Sequence, residues 1–424
     1  MTFRTTVERL GHLGDGIAPG PLFVPGALPG EIVTGRPEGD RLREVKILTP
    51  SAARVRPPCR HYGACGGCAL QHASEAFLAD WKVQVVRNAL AAQGLEAEVR
   101  MLSVSPPASR RRAGLSGRRT RGGAIVGFHD RASDTITEIA DCRLLHPGLT
   151  AALPALRELT LAGASRRAEI ALHATLSESG IDVAVRGGRE ADARLRQSLA
   201  ELAERHDLAR LSWEGQILAA RRPPWQRMGR ARVVPPPGAF LQATEEGAAA
   251  LVRAVLALCR HAGRVADLFS GCGTFALPLA GICPVHAVES DAGMLEALEA
   301  GWRQAPGLKR LTTERRDLFR RPLTADELSR FDTVVLDPPR AGARAQVEQI
   351  AAAPLRQVVS VSCNPASFAR DAKRLVAAGF ALGLVGVVDQ FLWSPHVELV
   401  AGLHRPAGGA PPRRGQGRAA AKRE

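Results

Sequence analysis

The chain has 424 residues, 45% of them hydrophobic and 23% charged, which excludes a disulfide-stabilised miniprotein and predicts about two to four folded domains. Its 57 Lys and Arg exceed its 42 Asp and Glu, for a formal charge of +15, and this excess predicts a polyanionic partner, first of all nucleic acid. Genomic base composition is the competing explanation, because only five of the basic residues are lysine. Residues 1–20 lack a secretion signal and no apolar stretch is of membrane length, so we expect a cytoplasmic protein without membrane segments.

Residues 1–54 contain short segments of alternating polarity, separated by Gly-Asp-Gly, Pro-Gly and Glu-Gly-Asp turns. This pattern predicts a small, OB-like β-barrel. Barrels of this size bind oligonucleotides through one sheet face or serve only as architecture, and the pattern fits both roles.

A group of cysteines follows the predicted barrel. Cys59, Cys65 and Cys68 have the spacing C-x5-C-x2-C, and Cys142 stands apart. Thiolate ligation suits a 4Fe-4S cluster or structural zinc, and the lack of a second paired C-x2-C favours iron-sulfur. Beyond Cys68, apolar residues at helical spacing predict a helix over 75–93.

Residues 55–240 mix strand-like and helical patterns, so we predict a central α+β domain that carries the iron-sulfur site. Within it, residues 109–121 hold six arginines in thirteen positions. Alternation with strand-like neighbours would place these guanidinium groups along one face that follows RNA phosphates. A solvated hairpin face is the alternative.

From residue 241 to 405, helical patterns alternate with short apolar strands, which predicts a doubly wound, Rossmann-like domain with a largely parallel sheet. The final segment, 406–424, is rich in Pro, Gly, Ala and Arg and has no apolar period. We therefore predict a disordered basic tail.

A glycine-rich turn follows the first strand of this domain. Gly271 and Gly273 lie where a bare backbone can approach a ligand, and Glu289 ends the next strand, where a carboxylate suits ribose hydroxyls. The third glycine of a dinucleotide motif is missing, which favours a nucleoside such as S-adenosylmethionine over a pyrophosphate ligand. Asp317 is placed to accept from an adenine amino group. An ordinary tight turn and a solvated loop aspartate are the alternatives.

Three later strands deliver reactive side chains to the same sheet edge. Asp337 precedes two prolines, and Cys363 ends the following strand just before a helix, whose N-terminus would lower the thiol pKa and favour a nucleophile. Glu398 lies in an apolar strand, where burial would raise its pKa towards the range of a general base. An inert buried cysteine and an edge glutamate facing water are the alternatives.

Together these motifs resemble the RNA uracil-C5 methyltransferases, specifically the iron-sulfur class that makes 5-methyluridine in 23S ribosomal RNA. Gly14-Asp-Gly and the segment 22–31 resemble the TRAM RNA-binding barrel of that class, and the motifs in residues 240–398 resemble its class I methyltransferase domain. The resemblance spans almost the whole chain. It implies S-adenosylmethionine as methyl donor, a 4Fe-4S cluster, 23S ribosomal RNA as partner and no obligate protein partner.

The resemblance also assigns residues. It implies Cys363 as nucleophile and Glu398 as general base, and Cys59, Cys65, Cys68 and Cys142 as cluster ligands. It implies as cofactor-binding residues Gln242, Phe269, Thr274, Glu289, Asp317 and Asp337. The chain departs from the family pattern in two places. Ser270 and Thr274 stand where the family has Cys and Asn, and the segment 392–394 interrupts the family's Phe-Pro-His run.

Four other functions compete with this one. Related tRNA enzymes generally lack the barrel and the cysteines, which favours ribosomal RNA. An RNA 5-methylcytosine methyltransferase would have Pro-Cys or Thr-Cys in place of Ser362-Cys363, and an amino-directed enzyme would have an aromatic residue in place of Arg340. A non-catalytic ribosome-assembly factor would bind RNA without using Cys363.

Overall fold

The computed structural model describes residues 3–131 and 133–406, so the predicted tail lies almost entirely outside the described residues. Residues 3–49, within the range predicted to form a barrel, make a six-stranded sheet in the order β1-β5-β6-β4-β3-β2. Alternating side chains such as Val33 and Leu42 are buried beneath it, as the polarity pattern requires. The strands are β1 (Phe3–Thr6), β2 (Arg9–Leu10), β3 (Gly16–Ala18), β4 (Leu22–Val24), β5 (Ile32–Glu38) and β6 (Arg41–Thr49).

The predicted helix after the cysteines is α1 (Glu75–Ala91). It begins at Ser74, whose side chain accepts a hydrogen bond from the Phe77 N–H and so satisfies one free donor of the first turn. Strand β7 (Val99–Val104) follows and pairs in parallel with a strand near the C-terminus. This part of the range 55–240 therefore belongs to the C-terminal sheet, a long-range pairing that local patterns do not encode.

A seven-stranded sheet forms the centre of the chain, in the order β10-β9-β8-β11-β12-β13-β14. Helices pack on it around a core that includes Leu156, Leu172 and Trp213. Its elements are β8 (Arg112–Thr120), β9 (Gly123–His129), β10 (Ile136–Glu138), α2 (Pro147–Ala151), α3 (Leu153–Gly163), β11 (Ile170–Ser177), β12 (Gly180–Arg186), α4 (Ala193–Arg205), β13 (Arg210–Trp213) and β14 (Gln216–Ala220).

The arginine-rich segment 109–121 does not form one exposed face. Arg111 donates to the backbone carbonyl of Gln242, the Nε of Arg112 is buried, and Arg118 pairs with Glu169. Arg121 is exposed. The predicted continuous arginine face is therefore wrong, because part of the segment packs against the C-terminal half of the chain.

An eight-stranded sheet forms that half, in the order β19-β18-β17-β20-β21-β23-β22-β7. The strands from β19 to β21 are parallel and β23 is antiparallel, which confirms the predicted largely parallel sheet. Its elements, with a small preceding hairpin, are β15 (Gln226–Met228), β16 (Ala231–Val233), α5 (Glu245–Leu258), β17 (Val265–Leu268), α6 (Ala276–Leu279), β18 (Val285–Glu289), α7 (Ala292–Gln304), β19 (Leu311–Arg315), α8 (Ala325–Leu328), β20 (Thr333–Leu336), α9 (Arg344–Ala352), β21 (Gln357–Ser362), α10 (Pro365–Ala377), β22 (Ala381–Asp389) and β23 (Glu398–His404).

This sheet has a topological switch point between β17 and β20, where the chain order reverses. In open α/β sheets the carboxyl ends of the strands at this point border the ligand crevice.

Among the described residues, no helix has the length and apolar character to cross a membrane.

Candidate active site

The glycine-rich loop leaves β17 at the switch point. Phe269, Gly271 and Gly273 all have positive φ, at 63°, 53° and 96°. A side chain at Gly273 would approach Leu277 and Leu298 to 2.9 Å, so the loop accepts only glycine there without a shift of its neighbours. The loop therefore folds tightly over the carboxyl end of the sheet.

Glu289 ends β18 and holds this loop in place. Its Oε2 accepts from the Gly271 N–H at 3.1 Å, and its Oε1 accepts from the N–H groups of Ser290 and Asp291 at 2.6 and 3.0 Å. Carboxylate oxygens have further lone pairs, so these bonds leave acceptor capacity for a ligand's hydroxyl groups.

Two polar side chains beneath the loop have unused hydrogen-bonding capacity. Asp267 is fully buried, and within the described residues neither of its oxygens has a partner; the Ser270 hydroxyl is also buried without one. Burial and the nearby carboxylates of Asp337 and Glu289 raise the pKa of Asp267 well above its usual range. These orphaned groups fit a site for a polar ligand such as S-adenosylmethionine.

An aromatic pair lies beside the acidic residue predicted to contact adenine. The rings of Phe269 and Phe319 are 5.4 Å apart, and Phe319 is half exposed. Asp317 accepts from the Phe319 N–H at 2.9 Å, which fixes the carboxylate next to this pair. Thr274 is half-buried after Gly273. An apolar ring surface with an adjacent acceptor suits a planar base that carries an amino group.

A chain of buried polar side chains joins Gln242 to Glu398. The Nε2 of Gln390 donates to the Oε1 of Gln242 at 2.5 Å and to the Oε2 of Glu398 at 2.9 Å. The N–H of Ala243 donates to the Oε1 of Gln390 at 2.7 Å. Two predicted site residues that lie far apart in sequence are thus held by one side chain.

The predicted nucleophile lies next to the predicted base. Strand β21 pairs with β23 so that Ser362 opposes Leu399, which puts Cys363 and Glu398 side by side at the sheet edge. Asp337 follows the neighbouring strand β20, and Asn364 donates to the Arg340 carbonyl at 2.9 Å, which ties the two loops together. Cys363, Glu398 and Asp337 therefore converge, as predicted for one site.

The charges in this site correct one prediction and agree with another. The pKa of Cys363 is raised to about 11, because burial and the negative charges of Glu398 and Asp337 outweigh the effect of Arg340. The predicted lowering by the helix N-terminus is therefore wrong. Burial, together with the charge of Asp337, raises the pKa of Glu398 well above its usual range, as predicted for a buried carboxyl.

Cys363 lines a cavity of about 1070 Å³ that extends to the N-terminal sheet. Its walls include Arg9 from that sheet, His12 from the loop between β2 and β3, Trp81 from α1, and His396 from the loop before β23. The cavity is thus an open groove that leads from the sheet edge towards the N-terminal region.

The four predicted metal ligands lie together, away from this groove. Cys59, Cys65, Cys68 and Cys142 line one small pocket. Burial raises the pKa of Cys68 to about 12, with smaller contributions from the other cysteines. In the described part of the chain, no three His, Cys, Asp or Glu side chains adopt an arrangement that could already hold a metal ion. The donor set, four thiols around one pocket, is that of cluster or zinc sites.

Comparison with known proteins decides the family. A family model described as tRNA (Uracil-5-)-methyltransferase matches residues 305–405, the region that carries Cys363 and Glu398. An RNA methyltransferase of Caulobacter vibrioides is 46% identical over 409 residues, which cover 93% of this chain and 98% of that protein. The 23S rRNA (uracil(1939)-C(5))-methyltransferase RlmD of Halomonas elongata is 35% identical over 436 residues, covering 94% of this chain and 89% of that protein. The chain belongs to the RNA uracil-5-methyltransferase family.

This uracil-5-methyltransferase is therefore an S-adenosylmethionine-dependent enzyme that acts on RNA, as predicted. Its fold matches that of the Pyrococcus abyssi tRNA (uracil-54, C5)-methyltransferase, solved with S-adenosyl-L-homocysteine, at a TM-score of 0.74 and 24% identity. The match covers 94% of this chain and 99% of that chain, which confirms the multidomain α/β architecture with a methyltransferase domain.

Several polar residues at the uracil-5-methyltransferase site were not among the predicted site residues. Asp267, Ser270, Gln390 and Arg112 all lie at the sheet edge or against it. The sequence could have indicated Asp267, because a carboxylate is unusual in an apolar strand, and Asp267 lies in the four-residue buried strand β17 as Glu398 lies in β23. The sequence could not have indicated Gln390, because two of its three partners, Gln242 and Ala243, lie 148 and 147 positions away.

Proposed function

We propose that this methyltransferase converts uridine to 5-methyluridine in 23S ribosomal RNA through a covalent bond between Cys363 and uracil C6, with Glu398 as general base. The observation that carries the proposal is the convergence of Cys363, Glu398 and Asp337 at adjacent strand ends. The 23S substrate is supported by the RlmD relative, which is similar along most of its length.

The chemistry requires both side chains. Uracil C5 is not a nucleophile until a thiolate adds to C6, so the Cys363 Sγ forms a bond to C6 and the ring electrons move to C5 and O4. C5 then takes the methyl group of S-adenosylmethionine: the C5–CH3 bond forms as the sulfonium S–CH3 bond breaks, and S-adenosylhomocysteine is left. Glu398 then removes the proton from C5, the C5–C6 double bond re-forms, and the C6–S bond breaks to release the Cys363 thiolate.

The raised pKa of Glu398 suits this role. A carboxylate whose pKa lies well above its usual range binds a proton more strongly than an exposed one, so it removes the C5 proton more readily. Burial and the same negative charge raise the pKa of Cys363, so the thiol is protonated at neutral pH and releases its proton to the water of the groove before Sγ adds to C6. The target base must leave its stack to reach both side chains.

We also propose roles for the remaining predicted residues. Phe269 and Asp317 would hold the adenine, Glu289 the ribose, and Asp337, Gln242 and Thr274 the rest of the donor. The orphaned oxygens of Asp267 and the hydroxyl of Ser270 support a polar ligand in this place. Each of these side chains acts by binding and orientation, since none takes part in bond making.

Outside the methyltransferase domain, 241–405, we propose that residues 1–54 form a TRAM-like RNA-binding unit and that 55–240 hold a 4Fe-4S cluster and contact RNA. The groove between Cys363 and the N-terminal sheet supports the first role, because an RNA strand could follow it. The shared cysteine pocket supports the second. Methyl transfer of this kind moves no electron, so the cluster would be structural.

The test is nucleoside mass spectrometry of separated tRNA and large-subunit ribosomal RNA, from cells with and without the gene and with a Cys363→Ala rescue. We expect 5-methyluridine to disappear from the ribosomal RNA alone and the variant not to restore it. Loss from tRNA would instead assign a tRNA substrate, and loss of 5-methylcytosine would assign the cytosine reaction. Normal modification with defective ribosome assembly that Cys363→Ala rescues would establish a non-catalytic factor.

A further inference from the structure

Gln390 is a buried glutamine, 2% exposed, in the loop that follows β22. Its side chain makes hydrogen bonds with three residues in two segments of the chain: Gln242 and Ala243 before α5, and Glu398 at the start of β23. A side-chain amide has two N–H donors, and here both are used. The carboxamide is therefore fixed in orientation.

The orientation follows from the backbone contact. The N–H of Ala243 can only donate, so the Gln390 atom that faces it is the oxygen Oε1, and the nitrogen Nε2 faces the other two partners. Since Nε2 donates, the Gln242 atom opposite it is also an oxygen. The NH₂ group of Gln242 is then left for another acceptor, and none of the described residues accepts from it.

The same contact makes the two oxygens of Glu398 different. Oε2 accepts from Gln390, whereas Oε1 has no hydrogen-bond donor within the described residues. The charged or titratable groups that face Glu398 are Asp337, Arg112 and the Cys363 thiol, and its hydrogen bond within the described residues comes from the neutral amide of Gln390. A proton that Glu398 takes up can sit on Oε1 without breaking the Gln390 bond.

We propose that Gln390 is a positioning residue: its one carboxamide orients both the side chain that binds the methyl donor and the carboxylate that accepts the proton. It turns the NH₂ of Gln242 towards the donor molecule and presents the free Oε1 of Glu398 to the C5 proton. The inference rests on the proposed function for the role of Glu398. It adds that donor binding and proton removal depend on the same side chain.

The test replaces this amide with an apolar group of similar shape. In Gln390→Met the volume is kept and all three hydrogen bonds are lost. The matched control is Gln346→Met, because Gln346 is equally buried and bonds the backbone of Leu323 with both ends of its amide, remote from the sheet edge. Thermal unfolding of both variants measures the purely structural cost.

Two readouts separate positioning from stability. The KM for S-adenosylmethionine reports the donor side, and the amount of denaturant-stable RNA–protein adduct that carries the labelled methyl group reports proton removal. We expect Gln390→Met to raise that KM about tenfold and to slow release of the methylated adduct about tenfold, so that the adduct accumulates. Gln346→Met is expected to change neither value.

Values for Gln390→Met within twofold of the wild type, or equal changes in Gln346→Met, would overturn the proposal. If Gln390→Met does not fold, Gln390→Asn takes its place, since it keeps a neutral amide but is one methylene shorter and cannot reach all three partners. Failure of the proposed function is distinguishable, because Cys363→Ala would then retain activity and the wild type would form no adduct at all.

Discussion

The Nζ of Lys82 lies 2.6 Å from the Oδ1 of Asp389, and both side chains are buried. Lys82 also donates to the Phe391 carbonyl at 3.0 Å, on the far side of Gln390. Helix α1 is thus bonded to both ends of the short segment that carries Gln390. The geometry of the active site therefore depends on an ion pair between residues 307 positions apart.

Lys82→Met should lower the free energy of unfolding by about 3–5 kcal/mol, because it leaves the Asp389 carboxylate buried without its partner. Denaturant unfolding followed by circular dichroism measures this. The matched control is Arg205→Met, which breaks the exposed pair with Glu158 and should cost at most about 1 kcal/mol. Equal losses in the two variants would contradict the structural importance of the buried pair.

Cys363→Ala should abolish 5-methyluridine formation, with a loss of kcat of at least about 10⁴-fold, while RNA binding changes little. Turnover on transcribed ribosomal RNA fragments measures the loss of kcat, and a filter-binding assay measures RNA binding. Cys283→Ala serves as the control, since Cys283 is buried on the other side of the fold from the sheet edge. Residual turnover in Cys363→Ala close to that of the control would eliminate the covalent mechanism.

Glu398→Gln should block the reaction after methyl transfer, with a loss of about 10²–10⁴-fold from the missing base. The expected product is an RNA–protein adduct that already carries the methyl group and persists in denaturing gels. Glu348→Gln, which alters only an exposed ion pair with Arg374, should turn over normally. If Glu398→Gln formed free 5-methyluridine at the normal rate, another residue would have to be the base.

The reactivity of Cys363 should rise with pH throughout the neutral and mildly alkaline range. A thiol whose pKa is raised to about 11 is protonated at pH 7, and its thiolate fraction grows about tenfold per pH unit until pH approaches the pKa. Iodoacetamide labelling of Cys363, followed by mass spectrometry, measures this. Arg340→Met should shift the curve to higher pH, since Arg340 is the positive charge that lowers this pKa. A plateau reached below pH 8 would refute the raised pKa.

Purified protein loaded with iron and sulfide under anaerobic conditions should bind about four irons per chain and show the visible absorbance of a cluster. Cys142→Ser should lose most of this iron, because Cys142 lines the same pocket as the other three cysteines and would be the fourth thiolate ligand. Cys259→Ser, at a buried cysteine outside the pocket, should keep it. A colourless protein with about one zinc per chain would assign a zinc site instead.

Local patterns were sufficient for much of the fold. The strands that end near Asp337 and Cys363, the turn at Gly271, and helices α1 and α10 all lie close to where polarity and turn residues predict them. These features depend on interactions between residues a few positions apart, which hydrophobic periodicity and glycine conformations report directly.

Side-chain pairing across the fold was beyond those patterns. The arginine segment at 109–121 has the composition of an RNA-binding surface, yet Arg111 and Arg112 pack against the methyltransferase half. Strand β7 pairs with β22, nearly three hundred residues later. Packing between distant segments decides which face of a strand contacts which neighbour. Composition alone therefore could not predict that these arginines would be covered.

The amino-acid sequence by itself determined the alternation of strands and helices and the positions at strand ends where Cys363, Glu398 and Asp337 stand. Only the tertiary structure decided that Gln390 joins Glu398 to Gln242 and that the pKa of Cys363 is raised. The reason is physical: hydrogen-bond orientation and the balance of burial against neighbouring charges depend on distances that exist only once remote segments have packed together.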